Sequence, residues 1–192
     1  GASCLWNITL RGATRDSASG NYGFATTITS NGGTGARPRS DGLSATAYPS
    51  GVKGTPVEIA EQITPLIFWK KELRADSGGA GRTRGGLGQI IEIESGIGQP
   101  FDLLAQFDRI AHPARGRDGG HDGAAGSARL ASGEKVRGKG LTEIRPDERL
   151  VLETPGGGGL GDPKSRPAEA MARDLAEERI AGQVAREVYR RS

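Results

Sequence analysis

Residues 76–88 read Asp-Ser-Gly-Gly-Ala-Gly-Arg-Thr-Arg-Gly-Gly-Leu-Gly, six glycines and two arginines behind an Asp-Ser pair. Residues 154–163 read Thr-Pro-Gly-Gly-Gly-Gly-Leu-Gly-Asp-Pro. Each glycine costs regular structure about 0.5–1 kcal/mol relative to alanine. It is tolerated where the backbone needs a positive φ, or where another backbone or a ligand comes very close. Two such runs predict a site built from main chain. The chain holds 32 glycines in 192 residues without a Gly-X-Y period, which excludes a collagen-like fold.

The length fits one domain with at most a small appendage. Hydrophobic residues make up 34% and aromatics 5%, little for an independent core, so the chain is expected to be part of a larger protein whose core lies partly elsewhere. The first residue, Gly1 rather than Met, fits that expectation. The net charge is +3, with basic residues scattered. Without a basic stripe and interleaved aromatics, nucleic-acid binding is not expected. No apolar run approaches the roughly 18 residues that span a bilayer, so neither is a membrane partner. The single cysteine, Cys4, excludes an internal disulfide framework and fits a reducing compartment. It reads as a small buried hydrophobe rather than a nucleophile.

Strands are predicted over 5–10, 22–29, 66–69, 89–94 and 148–153 from β-branched, aromatic or alternating composition. Pro65 argues against a helix there, and Lys70, Lys71 and Glu72 are expected at the strand's solvent end. Residues 102–110 fit strand or helix. Residues 12–20, 31–38 and 115–126 read as turns or loops, as does a segment punctuated by Pro49 and Pro56 and ending near 57–61. The tail reads as two short helices broken near Ala181-Gly182, with Pro167 suited to a first turn and Ile180, Val184, Val188 and Tyr189 at helical spacing. The expected fold is α+β, mostly β, with a glycine-rich strand-and-loop domain over 1–165 and a helical tail over 166–192.

Residues 133–140 come nearest to a phosphate-binding loop, but Gly140 stands where the magnesium-binding hydroxyl belongs, so a charged hairpin is the better reading. A dinucleotide fingerprint fails because Arg84 replaces its third glycine and no helix follows. His112 and His121, near Asp118 and Asp122, read as surface loop residues rather than metal ligands. Ser77 has no evident general base. Two readings of the first run stand level. Glycine-rich backbone with Arg82 and Arg84 forms an anion-binding nest, or Asp76 pairs with an arginine to lock a structural turn.

Gly32-Gly33, Asp41-Gly42, Pro56-Val57-Glu58, residues 76–88 and 154–163, and Ala185 with Tyr189 resemble, in order and spacing, the hydantoinase B/oxoprolinase family. The resemblance covers essentially the whole chain and implies only the C-terminal third of a family member. It implies an ATP-dependent cyclic amidohydrolase in which an A-type partner subunit or domain binds ATP and Mg2+ and phosphorylates the amide oxygen. The B part, this chain with the N-terminal remainder of its subunit, then helps water open the activated ring. Developing negative charge there needs preorganised donors. Asp76, Ser77, Arg82 and Arg84 are the catalytic candidates. Asp41, Glu58, Gly78, Gly79, Gly81, Gly157 and Gly158 are the substrate-binding candidates. No metal ligand is carried over; the resemblance leaves any divalent metal to segments upstream of this chain. A cytoplasmic enzyme is expected. The alternatives are a related ATP-dependent ketone carboxylase and a non-catalytic assembly module.

Overall fold

The computed structural model describes residues 4–14, 23–46 and 52–189. The predicted loops over 12–20 and around Pro49 fall partly outside them, as does Tyr22, the first residue of the strand predicted over 22–29. The strands are β1 (Leu5–Gly12), β2 (Phe24–Asn31), β3 (Leu66–Leu73), β4 (Gln89–Ser95), β5 (Phe101–Gln106), β6 (Ser127–Leu130), β7 (Lys139–Ile144) and β8 (Leu150–Glu153). The helices are α1 (Val57–Ile63), α2 (Ala168–Ala176) and α3 (Gly182–Val188). The fold is α+β and mostly β, as expected.

Two four-stranded antiparallel sheets form, in the orders β2-β1-β5-β7 and β3-β4-β8-β6. Alternation along β1 points Trp6, Ile8 and Leu10 inward, where they share one apolar cluster with Leu103 and Ile144 of their own sheet. Ile91, Ile93, Leu130, Leu150 and Leu152 of the second sheet complete that cluster. Trp6 stacks on Phe107 with ring centroids 4.1 Å apart, and its indole N–H donates to the Asp108 carbonyl at 3.0 Å.

The predicted strands form, most with shifted ends. β3 runs past Trp69 through Lys70, Lys71 and Glu72, with a register shift between Phe68 and Lys70. Of residues 102–110, ambiguous in sequence, 102–106 belong to β5, a strand paired on both sides, by β1 and β7, and 107–110 lie beyond it. β6 and β7 were not expected. One has only four residues, and the other buries only Ile144. Where the loop was expected to end, near 57–61, α1 begins, a helix the sequence reading did not name. Pro56 stands at its N-cap, a position proline tolerates, and buried Ala60 anchors the turn while Thr64 Oγ1 donates to the Ala60 carbonyl.

Register places every glycine-rich segment at one end of this pair of sheets. The C-terminal end of β3, the start of β4, the end of β8 and the start of β6 lie side by side, through Leu73↔Gln89, Ile90↔Glu153 and Ser127↔Glu153. In the other sheet, the end of β2 and the end of β5 flank the start of β1, through Leu5↔Asn31 and Asn7↔Gln106. Thr154 joins the two ends, its hydroxyl donating to the Asn31 carbonyl at 3.1 Å.

Candidate functional site

From that end, residues 32–46, 77–88, 114–124 and 154–161 run out and pack on one another, backbone against backbone. The centre is Gly156 to Gly159. A Cβ on Gly156 would fall well inside 3.0 Å of the Ser77 carbonyl oxygen, one on Gly157 inside 3.0 Å of the Thr34 carbonyl, and one on Gly158 inside 3.0 Å of the Arg115 carbonyl. At Gly159 the obstacle returns to the first neighbouring segment, at the Ala80 carbonyl. Contacts that rotate through three neighbours and repeat after three residues have the periodicity of a three-residue helix of the polyproline type. A strand with one such neighbour needs glycine at every third position. One with neighbours on three sides needs it at every position, and Gly-Gly-Gly-Gly is the result.

Close approach, not positive φ, is therefore what these glycines supply; in the two runs the left-handed conformation falls only on Gly161 (φ 76) and on Asp76 (φ 58). Many of the amides are engaged between segments. Gly79 donates to the Gly157 carbonyl at 2.8 Å, Gly86 to Thr34 at 2.8 Å, and Gly157 to Gly86 at 2.9 Å. Gly78, Gly79, Gly81, Gly157 and Gly158 are all buried in this layer.

The four catalytic candidates lie close together in the chain but in different surroundings. Asp76 is exposed and caps the tail: its Oδ1 accepts from the Ala181 amide at 2.9 Å. Its partner is thus a helix end rather than an arginine. Ser77 is buried, its hydroxyl donating to the Arg74 carbonyl at 2.6 Å and accepting from the Gly88 amide at 2.9 Å. Arg82 is exposed at the rim, with Nη2 on the Pro38 carbonyl at 3.0 Å. Arg84 has no exposed surface; its guanidinium donates to Asp174 at 3.1 Å and to the Gly85 carbonyl at 2.6 Å. Glu58 stands apart from the glycine layer, on the exposed first turn of α1 packed against β3.

Asp41 belongs to a buried network. Its Oδ1 accepts from the Arg84 amide at 2.7 Å and from Arg166 Nη1 at 2.9 Å, while Oδ2 accepts from Arg166 Nη2 at 2.7 Å. Arg166 also pairs with Asp174, so two arginines and two aspartates close a neutral quartet between the glycine layer and α2. Burial opposes the Asp41 charge, but the Arg166 hydrogen bonds and the Arg84 amide outweigh it and hold the carboxyl below the usual range. Burial likewise opposes the Arg166 charge, and Asp41 more than restores it. Tyr189 packs beside the quartet, its phenol pushed up to about 12 by burial, against the pull of Arg166 and Arg84.

Sequence reasoning named Asp41 and Arg84 but missed Arg166 and Asp174, because the pairs span 125 and 90 residues. The available signal was an aspartate inside a short helix eight residues after an arginine that follows a Pro-initiated turn. Among the described residues no three His, Cys, Asp or Glu side chains converge as metal ligands. His112 and His121 are exposed. Residues 133–140 contain the turn expected of them: Gly133 (φ 94) leads the chain back along β6, with the Val136 amide donating to the Ala128 carbonyl at 2.9 Å. Among the described residues no helix is long and apolar enough to cross a membrane.

Residues 1–163 match the family described as hydantoinase B/oxoprolinase. The 5-oxoprolinase 1 of Arabidopsis thaliana is 34% identical over 163 residues, which covers 82% of this chain and 12% of that protein. Caprolactamase subunit beta of Pseudomonas jessenii is 31% identical over 135 residues, 62% of this chain and 22% of that subunit. The crystal structure of the ATP-dependent caprolactamase from that organism aligns with a TM-score of 0.77 at 23% identity, over 98% of this chain and 35% of that one. The nucleotide-free acetone carboxylase aligns at 0.74 with 22% identity, over 98% and 30%. At such identities the two structures establish a shared fold. This chain spans only a minor part of each relative's length. The match runs from residue 1 through both glycine runs to Pro163, and the chain belongs to the hydantoinase B/oxoprolinase family.

Proposed function

We propose that this chain is part of an ATP-dependent cyclic amidohydrolase of the 5-oxoprolinase and N-methylhydantoinase type. The observation that carries this reading is the family match across both glycine runs, beside the likeness to a 5-oxoprolinase and to a caprolactamase subunit. An unstrained lactam is a poor electrophile, and ATP with Mg2+, held by an A-type partner, supplies the phosphoryl group that turns the amide oxygen into a leaving group. On this chain the work is positional. Buried Ser77, Arg84 and the quartet fix the glycine layer, and exposed Arg82 is the member of the first run that reaches substrate. Asp76 holds the tail against that run. The protein works in the cytoplasm, beside its A-type partner and the N-terminal remainder of its own subunit. A ketone carboxylase is the second reading, favoured by the fold shared with acetone carboxylase.

Phosphate release from ATP by the assembled enzyme tests this, with 5-oxoproline, hydantoin, caprolactam, and acetone plus bicarbonate in parallel. Stimulation by a cyclic amide is expected, and Arg82→Ala is expected to lower kcat by about 100-fold with Tm unchanged. Stimulation by acetone alone would move the assignment to the carboxylase. An Arg82→Ala enzyme with full turnover would take Arg82 out of the site. Loss of subunit assembly before loss of chemistry would make this part an assembly module.

A further inference from the structure

A cleft of about 360 Å³ opens beside the second glycine run, with Gly158 and Gly159 in its floor and Arg109, His112, Arg115 and Arg117 in its wall. Its size is that of a small-molecule site. Arg115 and Arg117 lie two residues apart on the segment 114–124, and both line the cleft. That segment is fixed by backbone: the Arg117 amide donates to the Gly159 carbonyl at 3.0 Å, and the Gly161 amide donates back to the Arg117 carbonyl at 3.0 Å. Both side chains are exposed, and among the described residues neither forms an ion pair. None of the described residues lining the cleft is acidic. Two carboxylates belong to the segment: exposed Asp118, next to Arg117, forms no ion pair among the described residues, and Asp122 is taken by the Gly116 amide at 2.8 Å. Arg82 lies across Gly161 from Arg117, bound to its carbonyl at 3.1 Å, and extends the positive rim without lining the cleft.

We infer that this cleft binds a phosphate group through Arg115 and Arg117, with His112 and Arg109 completing its wall. Two guanidinium forks and an imidazole on a rigid main-chain floor offer more donors than one carboxylate accepts. A phosphate carries about −1.5 to −2 charge and three acceptor oxygens, which matches an arginine cluster. The inference stands without the amidohydrolase reading. Only one clause rests on it: in such an enzyme the phosphate would be that of the activated substrate or its product.

Calorimetric titration of inorganic phosphate into the full-length protein, without ATP or substrate, tests the cleft. The wild type is expected to bind. The R115Q/R117Q double variant is expected to bind at least about tenfold more weakly, with circular dichroism and Tm matching wild type. R173Q, at an exposed arginine of α2 that does not line the cleft, is expected to bind as wild type does. No phosphate binding by the wild type, or equal binding by the double variant, overturns the inference. Acetate binding as tightly as phosphate overturns the phosphate assignment. If the double glutamine variant does not fold, R115K/R117K carries the test: weakened phosphate binding at unchanged Tm supports the cleft, and unchanged affinity overturns it. Failure here leaves lactam-stimulated ATP turnover untouched, so the two readings fail separately.

Discussion

The sheet pair and the glycine layer are packed by opposite means within one chain. In the sheets, Trp6, Ile93, Leu103 and Leu152 fill space with side chains, and fully buried aliphatic groups carry the stability. In the glycine layer, side chains are left out so that main chains meet, and dispersion together with N–H and Cα–H contacts to carbonyls holds the segments. The first region is damaged by removing atoms and the second by adding them. A core of the second kind lets the fold close with 34% hydrophobic residues. It also makes the layer rigid, which suits the base of a site.

The sharpest way to break this comparison is one methyl group on each side of it. Gly156→Ala adds a Cβ that the Ser77 carbonyl and the Gly78 amide already exclude, and both obstacles are backbone. A loss at or above the ~3 kcal/mol upper end of ordinary overpacking is expected, read as failure to fold or a large fall in Tm. Leu103→Ala, the reverse change in the sheet core, is expected to cost about 2–5 kcal/mol while leaving a foldable protein. A Gly156→Ala protein with wild-type Tm would show that the glycine layer yields to side chains after all.

The quartet joins the layer to α2 and ranks next. Asp174→Ala leaves Arg84 and Arg166, with side-chain exposures of 0% and 1%, without their shared carboxylate. Removing one partner of such a buried pair costs about 3–5 kcal/mol. Urea denaturation of the variant measures this, and a loss under about 1 kcal/mol would make the tail independent of the layer. Asp41 adds a pH signature. Its folded carboxyl lies below the ordinary value, so its contribution is complete above the unfolded pKa of about 3.9 and is lost as pH falls through the folded value. Asp41→Asn should flatten that acid limb of Tm against pH; an unchanged limb would assign it to other carboxylates.

The two regions also differed in how far the sequence disclosed them. Strands with alternating or β-branched composition, such as 5–10 and 89–94, were readable because burial on one face leaves a period of two. β7 was not, since an edge strand that buries only Ile144 carries no such period. The glycine runs announced a main-chain site, and the rotation of contacts every three residues explains their density. Their geometry could not be read, because identical glycines carry no record of which neighbour each one faces. The quartet was half readable: Asp41 and Arg84 sit within motifs, while Arg166 and Asp174 join them only once the tail folds back across the layer.

The smallest effects make the finest test, because they separate the reasons for a glycine. Gly98 has φ 63 and open space around its Cα, so only backbone strain opposes a side chain there. Gly98→Ala is expected to cost about 1–2 kcal/mol. Gly54 has neither constraint: its φ lies outside the left-handed range, and a Cβ would meet only the end of Lys71 at 3.6 Å. Gly54→Ala is expected to leave Tm unchanged or raise it by the equivalent of about 0.4–1 kcal/mol, through the unfolded chain's lost freedom. The order Gly156, Gly98, Gly54 is thus the prediction, and thermal melts of the three alanine variants measure it. If Gly98→Ala proved as damaging as Gly156→Ala, backbone conformation rather than close approach would govern glycine use here. The three-neighbour account of Gly156 to Gly159 would then fail with it.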